Sequence, residues 1–251
     1  MKPEVSASLV IIGDEILSGR TQDKNLAYLA HWLNEVGIQL AEVRVVPDIE
    51  AEIAAAVNAL RARYDYVFTT GGIGPTHDDI TADSIAAAFG VPVEVHAEAY
   101  ARMEAYYGPG KFTPARQRMA RVPKGGTLID NPVSIAPGFN VDNVYVMAGV
   151  PAVMQAMLES VRPMLRAGRK IWTSTLTVHA PESQIAGELG SIQDAHEGTS
   201  IGSYPFYHTG KPGAQIVVRS ADQAAIDAAM ADVRQMCADR AFETELPDGQ
   251  V

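Results

Sequence analysis

The first 167 residues alternate short apolar runs with amphipathic helical patterns, and this alternation limits the fold more than any other feature. The run "ASLVIIG" is typical of a buried parallel strand, and "DKNLAYLAHWLNEVG" keeps apolar residues on one helical face before Gly37. Strand and helix patterns then repeat through "QLAEVRVV", "IEAEIAAAVNALRARY", "YDYVFTT" and "ITADSIAAAFG". This order predicts a mostly parallel sheet with helices on both faces, a three-layer α/β sandwich.

The remainder of the chain predicts two domains. "VPVEV", "GGTLID" and "NVYVMAG" read as strands, and "AEAYARMEAYYG", "PARQRMARVP" and "PAVMQAMLESVRPML" as helices. After Gly168 the pattern becomes strand, helix, two strands and helix, which is typical of a small α+β domain with βαββα order. We therefore expect a main domain over residues 1–167 and a smaller one over residues 168–251.

Composition excludes several classes of protein. The net charge of −10 argues against a nucleic-acid partner, since a phosphate backbone requires a basic face. The single cysteine, Cys237, allows neither an intrachain disulfide nor a cysteine metal cluster, and we expect it to be a small packed residue. The first apolar run stops at a charged turn, which predicts no signal peptide, no membrane partner and a cytoplasmic location.

One segment is basic against this acidic background. Between residues 102 and 124 a single acid, Glu104, stands among six basic residues: Arg102, Lys111, Arg116, Arg118, Arg121 and Lys124. Such a patch is a candidate site for an anionic ligand, and Arg116, Arg118 or Arg121 could engage a distal phosphate. The alternative is a solvated helix face.

Two turns that combine glycine with acids follow predicted strands. One is "IIGDEILSG", with Gly13, Asp14 and Glu15, and the other is "TTGGIGPTHDD", which ends in Asp78 and Asp79. Ligands of parallel sheets bind beyond the carboxyl ends of the strands, so we expect the four carboxylates to face one crevice. Glycines in the second turn would let backbone N–H groups approach a phosphate.

The same acids also have a structural interpretation. Thr76 and Asp79 fit a capping box with aspartate in place of glutamate, opening the following helix. However, clustered carboxylates repel one another and any phosphate, so they require a cation. Mg²⁺ or another divalent cation held by Asp14, Asp78 and Asp79 is the natural choice. His77 lies inside the loop and is a candidate ligand contact or general base.

Five motifs together resemble the CinA-like family of molybdopterin-binding-domain proteins. They are "GDEILSG" with "DKN", "FTTGGIGPTHDDIT", "NPVSIAPGF", "VMAGVP" and, in the second domain, "GSYP". The main domain of that family is similar to the MogA and MoaB proteins of molybdenum-cofactor biosynthesis and to a domain joined to FAD synthase. The resemblance implies a phosphorylated nucleotide or pterin ligand and a homo-oligomer.

The resemblance also implies an activity and a set of site residues. CinA-type members are similar to metal-dependent pyrophosphatases that cleave nucleotide diphosphates such as ADP-ribose, which makes Asp14, Glu15, Asp78 and Asp79 the candidate catalytic residues. The candidate ligand-binding residues carried over from the motifs are Gly13, Asp23, Asn25, Thr70, Gly71, Gly72, Gly74, Pro75, Thr76, Thr81, Asn131, Ala136, Pro137, Gly138, Gly149 and Pro151.

The chain departs from the family pattern at four positions. Ala148 stands where proline is common and Val153 where an acid is common, and Ser134 with Ile135 replaces glycine and a small residue. These changes fall on the wall that would face the ligand and bear on substrate identity. The length also leaves no room for the C-terminal deamidase domain of longer CinA proteins, so deamidation is not expected.

Two further functions remain open at the level of sequence. One is binding and adenylylation of molybdopterin, or metal insertion, as in the related biosynthetic proteins. The other is a non-catalytic module that binds a phosphorylated metabolite and acts by association.

Overall fold

The computed structural model describes residues 5–208 and 211–246, and the chain divides into two compact units, Met1–Arg169 and Lys170–Val251. The predicted boundary after residue 167 lies two residues before this division. In the described ranges, no helix combines the length and the apolar character needed to cross a bilayer.

The first unit contains eight strands and seven α-helices in the described part. The strands are β1 (Val5–Ile12), β2 (Ile38–Val46), β3 (Tyr66–Thr70), β4 (Val93–Val95), β5 (Arg121–Pro123), β6 (Thr127–Ile129), β7 (Gly138–Val141) and β8 (Val144–Met147). The helices are α1 (Asp14–Leu17), α2 (Asn25–Glu35), α3 (Glu50–Arg61), α4 (Thr81–Phe89), α5 (Ala97–Tyr107), α6 (Pro114–Gln117) and α7 (Pro151–Val161), with 3-10 turns at Arg118–Ala120 and Arg162–Met164.

Six strands form the central sheet in the order β2-β1-β3-β8-β7-β6. The β2, β1, β3 and β8 strands are parallel, and β7 and β6 add antiparallel pairs at one edge. Alternate residues of β1 point to opposite faces, so Leu9 packs with α2 and α7 while Val10 packs with α3 and α4. The predicted three-layer α/β sandwich with a mostly parallel sheet is confirmed.

The observed secondary structure of this unit differs from the predicted one in a helix and in two short strands that the sequence did not predict. The helix expected over "PARQRMARVP" ends at Gln117, and after a 3-10 turn the chain enters β5, because Val122 and Pro123 pair with β4. The short strand predicted at "VPVEV" is present as β4 and pairs with β5 in a separate two-stranded sheet. The sequence reading also missed β7, whose four residues begin with a glycine and lack alternation.

The second unit is an antiparallel sheet with two helices packed on one face. Its elements are β9 (Trp172–Val178), α8 (Glu182–Ala195), β10 (Ser200–His208), β11 (Lys211–Ser220), α9 (Gln223–Asp239) and β12 (Thr244–Glu245), and the strand order is β10-β11-β9-β12. The predicted βαββα order is present and gains the short β12. Cys237 is a free, buried thiol in the core of this unit, and burial raises its pKa.

Candidate functional site

The candidate site lies where three adjacent parallel strands end. Ile11 of β1 pairs with Thr70 of β3, and Thr70 pairs with Met147 of β8, so the three strands end at the same edge of the sheet. The loops that follow them line a cleft of about 540 Å³. This is the position at which open parallel sheets bind ligands.

The glycine loop begins at Gly71 and is fixed by backbone contacts. The Gly71 amide donates to Met147 O at 3.2 Å, and the buried Thr81 hydroxyl donates to Gly71 O at 2.9 Å. Gly71 has a φ of 106°, and a Cβ at this position would lie 2.1 Å from Ile12 O. Only glycine fits here, because any side chain would overlap the backbone of β1.

The predicted capping box is wrong. The Thr76 amide donates to Asp79 Oδ2 at 2.7 Å and the Thr76 hydroxyl donates to the same oxygen, but α4 begins only at Thr81, after Ile80. The Thr76–Asp79 pair therefore closes a turn within the loop. The helix begins later because Thr81 bonds back to the loop through its hydroxyl and through its amide, which donates to Gly72 O at 3.0 Å.

An acid folds over a glycine in each of the two turns. A Cβ on Gly13 would lie 2.5 Å from Glu15 Oε2, and one on Gly74 would lie 2.6 Å from Asp79 Oδ2. Both carboxylates therefore lie directly against the backbone, in space that the side chain of any residue other than glycine would fill. Glu15 and Asp79 also line the cleft together, which places two acids from different strand ends around one hollow.

A fifth carboxylate, which the sequence reading missed, lies beside these acids. Asp48 follows β2, and its Oδ2 accepts a 3.0 Å hydrogen bond from the Asp14 amide. Burial raises the pKa of Asp48, and the negative charges of Asp14, Glu15 and Asp78 raise it further against this hydrogen bond. An acid just beyond the end of a strand next to β1 is the signal that could have identified it.

Asp78 and His77 lie on the exposed part of the loop. The pKa of Asp78 is lowered, first by the nearby Thr76 hydroxyl, whose single proton Asp78 shares with Asp79, and second by the Asp78 backbone amide. His77 Nδ1 lies 4.0 Å from Asp78 Oδ1, and the His77 side chain is 98% exposed. Its exposure places His77 at the surface, where it makes a weak contact with Asp78.

The acids do not form a ready-made metal cage. Among residues 5–208 and 211–246, no group of three or more His, Cys, Asp or Glu side chains is arranged to hold a metal ion. The Asp79 carboxylate already accepts a hydrogen bond from the Thr76 amide, and Asp14 and Asp78 are exposed. The donor chemistry still fits Mg²⁺, which keeps several waters and binds through one or two carboxylates together with phosphates of the ligand.

Asn131 organises another part of the cleft wall. Its Nδ2 donates to Ala136 O at 2.8 Å and to Ser134 Oγ at 2.7 Å, and its Oδ1 accepts from the Val133 amide at 3.0 Å. Ile135 has a φ of 64°, which is rare for a β-branched residue. This strained residue stands at one of the four departures from the family pattern.

A smaller pocket of about 250 Å³ adjoins the cleft, sharing Glu15, Thr21, Gly149 and Pro151 with it. Asn25 and Thr70 line this pocket together with Asp23. Asn25 Nδ2 donates to Gly149 O at 2.8 Å, and Asp23 Oδ1 accepts from the Leu26 amide at 2.8 Å at the start of α2. The first and fourth predicted motifs therefore meet in one place.

Most of the basic patch is engaged within the protein. Arg121 pairs with Asp83, Arg102 pairs with Glu98 and Asp130, and Lys124 lies 3.8 Å from Glu94. Arg116 stacks over Tyr107, with its guanidinium carbon 4.3 Å from the ring centroid. Arg118 lies nearest the glycine loop and donates to Asp79 O at 3.5 Å.

The structure brings most of the predicted site residues together, but not all. Those that line the cleft are Glu15, Gly71, Gly72, Gly74, Pro75, Asp79, Asn131, Ala136, Gly149 and Pro151. Those that line the adjoining pocket without reaching the cleft are Asp23, Asn25 and Thr70. Those that lie elsewhere in the described structure are Gly13, Asp14, Thr76, Asp78, Thr81, Pro137 and Gly138. Gly138 has a packing role, since a Cβ there would lie 2.4 Å from Val146 O.

Comparisons with known proteins agree with this architecture. A family model described as a probable molybdopterin binding domain matches residues 8–167, and one described as FAD synthase, middle domain, matches residues 170–245. A protein of Archaeoglobus fulgidus is 34% identical over 205 residues, which cover 82% of this chain and 86% of that protein.

Two CinA relatives match the first unit. A CinA-like protein of Citrifermentans bemidjiense is 40% identical over 158 residues, which cover 61% of this chain and 38% of that protein. The crystal structure of the protein CinA with unknown function from Thermoplasma acidophilum matches with a TM-score of 0.61 and 34% identity. The match covers 64% of this chain and 98% of the Thermoplasma acidophilum CinA chain.

The fold and the cleft define an α/β domain that presents a glycine loop at the carboxyl ends of parallel strands. The chain belongs to the molybdopterin-binding-domain family and is a CinA-like member of it. The resemblance predicted from the five motifs is confirmed.

Proposed function

We propose that the first unit binds a phosphorylated nucleotide or pterin in the 540 Å³ cleft and hydrolyses a nucleotide diphosphate with the help of a divalent cation. One observation carries this proposal. The glycine loop from Gly71 to Gly74 and the carboxylates of Glu15 and Asp79 line the same hollow at the ends of β1 and β3. A ligand in this hollow would therefore contact both the loop and the acids.

The loop suits a phosphate because its backbone is open to close approach. Glycines 71, 72 and 74 all line the cleft, and because the Gly71 amide already donates to Met147 O, the N–H groups of Gly72 and Gly74 are the ones that a phosphate would engage. Backbone N–H groups aimed at a phosphoryl oxygen stabilise the charge that develops there during hydrolysis. The loop is anchored through Gly71 and Thr81, so its geometry is set before the ligand arrives.

The acids explain the need for a cation. Asp14, Glu15 and Asp78 lie close enough to Asp48 for their negative charges to raise its pKa. Together the four carboxylates would repel a diphosphate. When bound, Mg²⁺ would neutralise phosphate charge and lower the pKa of a coordinated water. Glu15 and Asp79 line the cleft and are our candidates for orienting a water and accepting its proton.

The family descriptions suggest which ligands to test. The first unit matches a domain described as binding molybdopterin, and the second matches part of FAD synthase, an enzyme named for a dinucleotide. ADP-ribose and FAD share the pyrophosphate linkage that the proposed reaction cleaves.

Two alternatives each have a supporting observation. The molybdopterin description favours binding and adenylylation of a pterin, and a fluorescent pterin that co-purifies with the chain would support it. The absence of a preformed metal cluster in the described part favours a non-catalytic binding module. Tight nucleotide binding that persists in EDTA, without turnover, would support that second alternative.

The proposed reaction is tested by AMP release. The chain with Mg²⁺ should release AMP from ADP-ribose or FAD, and the double variant Asp78→Asn/Asp79→Asn should abolish release. Asp194→Asn is the control. It removes an exposed charge from α8 in the second unit and should retain full activity. If the wild-type chain releases AMP from neither substrate, the hydrolase proposal fails.

A further inference from the structure

The 540 Å³ cleft is lined by no basic side chain among the residues that the structure describes, although the proposed ligand is an anion. Lys24 borders the 250 Å³ pocket, whose lining does not include the loop from Gly71 to Gly74. The same edge of the sheet carries a cluster of acids: Asp14, Glu15, Asp48 and Asp78. A positive charge supplied by the protein itself would have to come from a neighbouring surface, and the basic segment between residues 102 and 124 is the candidate that the proposed function leaves unused.

Arg118 of this segment lines a small hollow that adjoins the cleft. Five residues border both spaces: Gly72, Ile73, Gly74, Asp79 and Met119. Arg118 also donates a long hydrogen bond from Nη2 to Asp79 O at 3.5 Å. Arg118 is therefore next to the loop whose N–H groups a phosphate would engage.

Neighbouring arginines of the segment have other partners. Arg121 lines the same hollow but pairs with Asp83, and Arg116 stacks over Tyr107. In the described ranges, Arg118 forms no ion pair with an acid and no stack with an aromatic ring. Its charge is therefore not neutralised by a described side chain.

The hollow beside Arg118 is too small to be a ligand site of its own. Its volume is about 20 Å³, which is enough for one water and too little for a phosphate group. An effect of Arg118 on a bound anion would therefore come from its charge, acting across the loop. Such an interaction persists over several ångströms, because the effective dielectric constant near protein is lower than that of water.

We propose that Arg118 is a positioning residue for the phosphate of the ligand. Its guanidinium steadies the loop at Asp79 O and supplies the positive charge that favours a phosphate on the N–H groups of Gly72 and Gly74. The proposal rests on the proposed function, since that function puts a phosphate on this loop. It goes further by assigning the protein's own counter-charge to one residue of the basic segment.

Three variants separate charge from packing. Arg118→Met removes the charge and keeps most of the apolar stem, and Arg118→Lys keeps the charge and should restore binding. Arg116→Met is the matched control, because it removes the same charge two residues earlier from a side chain that lines neither the hollow nor the cleft. The melting temperature of each variant should stay within about 3 °C of the wild-type value.

Binding of ADP is measured by titration calorimetry at a fixed Mg²⁺ concentration and at low and high salt. At roughly 20 mM salt Arg118→Met should weaken ADP about tenfold, because charges on either side of the loop are then little screened. At roughly 0.5 M salt the loss should shrink to about twofold. Arg116→Met should stay within about twofold of the wild-type chain at both salt concentrations.

The results that would overturn the proposal differ in what they say of the cleft. If ADP binds the wild-type chain but Arg118→Met leaves its affinity within about twofold at low salt, Arg118 has no part in binding and the phosphate site stands. A loss that is equal at both salt concentrations, or that Arg118→Lys shares, would show that Arg118 supports the loop by packing alone. If ADP fails to bind the wild-type chain at either salt concentration, the proposed function fails and the role of Arg118 fails with it.

Discussion

The backbone amide of Asp14 donates a 3.0 Å hydrogen bond to the Asp48 carboxylate and thereby joins the ends of β1 and β2. The bond brings a partly buried acid next to three other carboxylates, those of Asp14, Glu15 and Asp78. Burial and these neighbouring charges raise the pKa of Asp48 above its ordinary value. The folded chain therefore carries electrostatic strain at the site where a cation would relieve it.

Asp48→Asn should stabilise the free protein and weaken the proposed binding of a divalent cation. The amide oxygen can still accept from Asp14 while the charge is gone, so the melting temperature at pH 7 should rise by roughly 1–3 °C. Because the pKa of Asp48 is raised in the folded state, its charged form destabilises the fold only at pH values above the ordinary pKa of an aspartate. The variant removes this destabilisation. The gain should shrink as pH falls through the folded-state pKa and vanish below about pH 4.

Scanning calorimetry from pH 3.5 to pH 7 checks this prediction, and Asp194→Asn serves as the control for removal of an isolated charge. Apparent Mg²⁺ affinity in the presence of ADP should fall in Asp48→Asn but not in Asp194→Asn. An Asp48→Asn protein that melts below the wild-type chain at pH 7 would show that Asp48 stabilises the fold as a charged group.

Gly71→Ala should destabilise the chain by at least about 3 kcal/mol, because the new Cβ would meet Ile12 O at 2.1 Å in a left-handed conformation. Gly19→Ala separates the two effects. Gly19 has a φ of 72° and open space around it. Its substitution should therefore cost only the roughly 1 kcal/mol of backbone strain that a side chain causes in a left-handed conformation. Urea unfolding measures both, and equal losses would contradict the predicted contact with β1.

Ala241→Gly should stabilise the second unit by about 0.5–1 kcal/mol. Ala241 follows α9 with a φ of 54°, and the Phe242 amide donates to Cys237 O at 2.9 Å, which is the helix ending that favours glycine. Ala238→Gly, one turn earlier on the exposed face of α9, should instead destabilise by a similar amount. Hydrogen exchange of amides in α9 and β11 of the full chain reports both changes, and protection that falls in Ala241→Gly would refute the prediction.

Sequence patterns predicted the fold well wherever apolar periodicity was strong. The parallel strands β1 and β3 are continuous buried runs, and the helices α2 and α3 are amphipathic. The pattern failed at β5 and β7, which have three and four residues and depend on pairing with distant strands. Local propensity carries little information about such short segments, because tertiary contacts decide them.

The candidate site could be predicted only where a motif was compact. The two glycine turns identified Glu15 and Asp79, whereas Asp48 stands alone after Pro47 and becomes part of the cluster only through the order of the sheet. The capping box failed because the hydroxyl of Thr81, bonded to Gly71, sets the start of α4. The expected homo-oligomer and the cytoplasmic location stay predictions, since a single chain displays neither.

The glycine loop is proposed to hold a phosphate, and amide chemical shifts test this contact most directly. Titration of the ¹⁵N-labelled chain with ADP and Mg²⁺ should move the amides of Gly71, Gly72 and Gly74 most, because these glycines line the cleft. Amides of the second unit, such as those of α9, should not move. Shifts that spare the three glycines while ADP binds would contradict the claim and place the phosphate elsewhere.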